Sequence, residues 1–313
     1  MTTPDIPPLD AEWALLSKPP ADSGDYRVLA CSEGPRRAAE FEDLVRDTLF
    51  GTPPHWTAER RQSAENLPWI SFGVSGDGRR APHRVSVSVT DRQPGSRDTR
   101  DSAGRYAFAT RYFTVRYEDL ARRRAGLTQL WNAVRAAELP PQPYARRVPL
   151  YVEPDPLPRL AELLDEEDGF GWAAATAATA LTAPIALVAG SSAYAMTRIE
   201  TMDQVIALLP YGYRTSVTAA TWAPDPWSAN PWLCYTHRPA PPSTRITVRE
   251  HIAPEPADPR GRAHLARLRD LRAESGTLGC LRVLASFTAP AALPPVADRT
   301  ERSVRRSART EEG

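Results

Sequence analysis

The chain has 313 residues, 42% of them hydrophobic and eight of them tryptophan, enough to bury real cores in about two domains. Its net charge of +1 gives no long-range attraction to nucleic acid or anionic lipid, so no nucleic-acid partner is expected. The single lysine, Lys18, precedes Pro19 and Pro20 and follows no glycine-rich run, which excludes a phosphate-loop NTPase.

Along the chain, YRVLAC at Tyr26 to Cys31 reads as a strand, and Gly34-Pro35 introduces a helix with Phe41, Leu44, Val45 and Leu49 on one face. PWISFGV and the alternating RVSVSVT read as strands, with Val85, Val87 and Val89 on one side. RVSVSVT and RYAFATRYFTVRY, Arg105 to Tyr117, are expected to pair as an antiparallel hairpin with a long tip. A helix from Glu118 to Ala137 follows, until Pro140, Pro141 and Pro143 break it. RVPLYVEP then starts a second unit, continued by a leucine-bearing helix at Leu157 to Leu164.

Gly169 to Thr197 contains no charged residue, yet Ala and Thr are only weakly apolar and Pro184 interrupts the run. An Ala-rich helix followed by a short buried strand, PIALVAG, is expected there, with no membrane span. Thr197 and Glu200 suggest a capping box for a helix with Ile199, Met202, Val205, Ile206 and Leu209 as its apolar stripe; Pro210 and Gly212 stop it. Tyr213 to Trp222 reads as a strand. From Ala223 the Pro-rich texture predicts extended connection, with one short helix between His264 and Glu274. The expected fold is mixed α+β: an N-terminal α+β domain with the antiparallel hairpin (1–143), a smaller middle α/β domain (144–238), a Pro-rich connection (239–297) and a disordered charged tail (298–313).

Chemistry-bearing motifs are sparse. Cys31, Cys234 and Cys280 are odd in number and far apart, so neither a disulfide framework nor a zinc knuckle is expected, and a reducing cytoplasm is the simplest home. MTTPDIPPLD has no apolar segment of the kind a secretion signal carries. His55, His83, His237, His251 and His264 show no metal-ligand spacing and read as loop or surface residues; no metal or cofactor is expected. Ser191 and Ser192, in a strand-to-helix turn, and Cys31, at a strand end, are the positions on which a hydrolase or nucleotide-binding enzyme would centre. The run Arg122-Arg123-Arg124 suits either a solvated helix face or a grip on phosphate or an acidic partner.

Taken in order, WALLSKPP, YRVLACSEG, LPWISFG, GRYAFATRYFTVRYEDL and IALLPYGYRTSVTAATW resemble the GTPase-associated protein 1 family of actinobacterial NTP-dependent conflict systems. The first four resemble its N-terminal domain of the second type and the last its middle domain. The resemblance implies a non-catalytic intracellular adaptor working beside a GTPase. With Trp, Tyr and Arg prominent in protein interfaces, Arg105, Arg214, Trp222, Trp227 and Trp232 are the expected contact residues, and Arg214 a candidate arginine finger.

Overall fold

The computed structural model describes residues 7–18, 26–34, 37–49, 67–76, 82–92, 108–140, 146–166, 169–188, 194–223, 231–236 and 245–293. Among the described residues ten strands share one sheet: β1 (Leu9–Ser17), β2 (Arg27–Cys31), β3 (Trp69–Ser75), β4 (Arg84–Arg92), β5 (Phe108–Arg116), β6 (Val148–Leu150), β7 (Ile185–Val188), β8 (Ala219–Ala220), β9 (Leu233–Thr236) and β10 (Ile246–Arg249). The order is β10-β7-β9-β8-β3-β4-β5-β1-β2, with β6 paired to β1. Strands β1 to β5 are joined antiparallel, and β7 to β10 run parallel to one another. The two patterns meet where Ser71 and Phe72 of β3 face Ala220 and Ala219 of β8, antiparallel. Helices are α1 (Ala38–Thr48), α2 (Tyr117–Arg123), α3 (Leu127–Ala136), α4 (Leu157–Asp165), α5 (Gly169–Ala180), α6 (Ala195–Ala207) and α7 (Pro259–Ser286).

Side-chain alternation decides which layer each face meets. Val85, Val87 and Val89 of β4 join Trp13, Phe72 and Phe113 in the main core, which also takes in buried residues of α2 through α7. On the opposite face Ala14, Leu16, Cys31 and Tyr112 pack beneath Phe41 and Val45 of α1. There β4 presents Ser86 and Ser88, and Ser88 Oγ lies 2.7 Å from Thr48 Oγ1 at the end of α1. The expected β4–β5 hairpin is present, with Val87 opposite Phe113. Residues 93–107 of its tip lie outside the described residues.

α5 is buried at every position from Trp172 to Ala180, which explains a run without charge: it is an interior helix, followed by β7 as expected. No described helix is long and apolar enough to cross a membrane.

Several elements differ from expectation. The helix expected over Glu118 to Ala137 is two helices, because Arg124 adopts φ 52° and Gly126 follows, so the chain turns before α3. α6 starts at Ala195 after an extended Tyr194, so Thr197 lies within its first turn and no capping box forms. The strand expected over Tyr213 to Trp222 is reduced to the two residues of β8, since Tyr211–Thr215 form a 3-10 turn. The Pro-rich stretch holds β9, β10 and the long α7, in which the helix expected at His264 to Glu274 is only the middle part. Asp258 caps α7 by accepting from Arg260 N at 2.7 Å, and Gly276 (φ 70°) kinks it. The tail 298–313 lies outside the described residues.

Candidate functional site

An open groove of about 720 Å³ lies where the end of α2, the start of β1 and the loop before α4 converge. Pro7, Pro8 and Leu9 form one side, Pro154 and Asp155 another, and the arginine run Arg122 to Arg124 the third; Asp10 and Asp119 complete it. α2 is short and ends on Arg124, whose backbone N–H reaches Ala121 O at 3.1 Å while Ala125 N reaches Leu120 O at 3.2 Å. That left-handed stop aims three consecutive arginines in different directions. It also places them at a helix C-terminus, where positive charge meets unpaired carbonyls.

The three arginines therefore do different work. Arg122 pairs with Asp119 along α2. Arg123 turns inward and donates to the carbonyls of Asp119 (3.3 Å) and Pro7, tying the N-terminal strand to the helix; burial lowers its pKa. Arg124 is exposed and makes no ion pair among the described residues. The groove combines two unpaired carboxylates, Asp10 and Asp155, with one unpaired guanidinium. It suits a polypeptide carrying both charges.

A second charged assembly is closed. Glu12, whose side chain is 5% exposed, points from β1 into three arginines: Arg147 at 2.9 Å, Arg84 at 3.0 Å and Arg37 at 3.3 Å. Glu33 bridges Arg37 and Arg147 at 2.8 Å, and Glu40 holds Arg37 at 2.7 Å. Bonds from Arg147 and Arg37 hold the Glu33 carboxyl below the usual carboxylate range; Arg37 does the same for Glu40. Three acids matching three bases leave nothing for a ligand to neutralise. This cluster ties α1 and β6 to the sheet.

The expected contact residues are dispersed. Arg105 and Trp227 lie outside the described residues, as do Ser191 and Ser192. Trp222 and Trp232 are corrections: they are 4% and 8% exposed and offer no surface anchor. Trp232 Nε1 donates to Ala180 O at the end of α5, and Trp222 lies against the buried guanidinium of Arg198, which is also covered by the Tyr235 ring. Tyr235 OH in turn donates to Glu250 at 2.7 Å. Arg214 lies 4.1 Å over the Tyr211 ring, with its Nε buried, and does not project as a finger would.

Cys31 is buried, its Sγ 3.5 Å from Gly34 O, and burial raises its pKa, so the thiol stays protonated and weakly nucleophilic. His264, expected on a surface, is packed against the end of α6 with Nε2 2.9 Å from Leu208 O, and burial lowers its pKa. Among the described residues no three His, Cys, Asp or Glu side chains group as metal ligands would. The arginine run was visible in the sequence; its carboxylate neighbours, Asp155 in the loop before α4 and Asp10 at the start of β1, both distant in the chain, were not. Compared with known proteins, the chain matches no family model and no curated sequence.

Proposed function

We propose that this chain is a non-catalytic adaptor that holds another protein in the mixed-charge groove beside α2. The observation behind this reading is the arrangement of Arg124 with Asp10 and Asp155 around an open, proline-walled groove of about 720 Å³. Arginine is prominent among interface anchors, and alternating charges set register and orientation against a complementary chain. The resemblance described above names the partner class: a GTPase of the same conflict or regulatory system.

Titration of the cognate GTPase against the purified chain tests the proposal. Arg124→Glu and Asp155→Arg, made singly, should each weaken binding about tenfold or more, because each reversal sets like charges together. Absence of GTPase binding, or binding indifferent to both reversals, refutes it.

A further inference from the structure

After α7, residues 287–293 run as a strap across the 3-10 turn Tyr211–Thr215. The main chain of the strap is held point by point. Gly212 N donates to Phe287 O at 2.8 Å, and Ala291 N donates to Gly212 O at 3.1 Å. Tyr117 OH donates to Thr288 O at 2.6 Å, and Ser216 Oγ and Thr215 Oγ1 donate to Ala291 O at 2.6 and 3.4 Å. Each of these bonds ends on a backbone atom of the strap. Its side chains from Phe287 to Pro290 are exposed, and only Leu293 is buried, in the main core cluster.

Gly212 makes the close approach possible. A Cβ there would lie 1.8 Å from Ala289 O, so any larger residue pushes the strap off the turn. A cleft that hydrogen-bonds backbone, demands glycine at its floor and buries one leucine reads a short peptide that bends over the glycine as the strap does at Ala289, largely without regard to the intervening side chains. Backbone bonds then give affinity and one pocket gives selectivity.

We propose that the cleft formed by Tyr117, Gly212, Thr215 and Ser216 is a peptide-binding site, occupied in the free chain by residues 287–293 acting as an intramolecular ligand. Its partner ligand is a segment of another protein that takes the same bend over Gly212, with an apolar residue two positions after the carbonyl that takes the place of Ala291 O. The site shares no residue with the groove beside α2, so it stands or falls separately from that reading.

The probe is a fluorophore-labelled peptide of residues 286–293, SFTAPAAL, followed by anisotropy against the full chain. In the parent the tethered strap competes at an effective concentration on the order of millimolar, so the probe binds weakly. Leu293→Ser in the chain removes the anchor and leaves the cleft intact; the probe should then bind about tenfold tighter or better. Adding Gly212→Ala should abolish that gain. Adding Tyr117→Phe instead, which deletes one hydroxyl and no packing volume, should weaken the probe several-fold. A probe ending in Ser should not bind. The proposal is overturned if the Leu293→Ser chain, folded by near-UV circular dichroism, binds the probe no better than the parent. It is equally overturned if Tyr117→Phe and Gly212→Ala both leave the gain intact.

Discussion

Replacing Asp203 tests whether the two halves of the sequence are locked by a cap shared between helices. Asp203, on α6, is fully buried, and its two carboxylate oxygens accept from Leu127 N at 2.9 Å and Thr128 N at 3.1 Å, the first donors of α3. Gly126 N is met within α3 by Gln129 Oε1 at 3.1 Å. The N-terminus of α3 is thus capped from a residue 76 positions away. Asp203→Ala leaves two donors without partners; at about 1–3 kcal/mol for each unsatisfied buried group, less the desolvation relieved by deleting the carboxylate, the cost is about 3 kcal/mol. Asp203→Asn keeps one acceptor and should cost about half as much. Urea unfolding followed by tryptophan fluorescence measures both. A second substitution isolates the contact: a Cβ on Gly126 would sit 2.5 Å from both Asp203 oxygens, so Gly126→Ala should be damaging alone and far milder beside Asp203→Ala. A loss below about 1 kcal/mol for Asp203→Ala, or strict additivity with Gly126→Ala, refutes the shared cap.

Acid should loosen the Glu12 cluster in a defined direction. Because the folded-state pKa values of Glu33 and Glu40 are depressed, their stabilisation is complete above the unfolded value of about 4.3 and is lost as pH falls through the lower folded values. Melting temperature should therefore drop below about pH 4, and more shallowly in a Glu33→Gln/Glu40→Gln chain; equal slopes contradict the arginine bonds as the cause. The thiols make a separate test. Cys31, Cys234 and Cys280 are buried, and burial pushes Cys234 and Cys280 up to about 11, so a disulfide reagent at neutral pH should label none of them in the native chain and all three in denaturant. Rapid native labelling would show that the cores around them open.

What the sequence disclosed was periodic and local. Val85, Val87 and Val89 alternate over a strand long enough to show its buried face, and the weakly apolar Ala-rich run split by Pro184 reads as a helix and a short buried strand, though not as a helix buried on every side. β1 escaped notice because LDAEWALLS places Glu12 on a buried face, where a charge is tolerated only through arginines from three distant segments. Trp222 and Trp232 were misplaced for a related reason. Prolines around them suggest an exposed connection, whereas burial comes from Arg198 and from the end of α5, neither adjacent in sequence. In the groove, Arg122 to Arg124 stood out by composition, but the left-handed turn at Arg124 that separates their directions has no sequence mark beyond the nearby Gly126.

The seam between β3 and β8 has a consequence for how the chain is made. Strands β1 to β5 are complete once Arg116 has left the ribosome, yet the outer edge of β3, with Trp69, Ile70 and Phe72, gains its neighbour only when Ala219 and Ala220 follow. At typical elongation speeds of about 5–20 residues per second, a nascent antiparallel half waits roughly five to twenty seconds with an apolar strand edge bare. Such an edge is a template for pairing with a neighbouring nascent chain. Slow translation between the two stretches, or release of a product stopped before Ala219, should favour aggregation over folding.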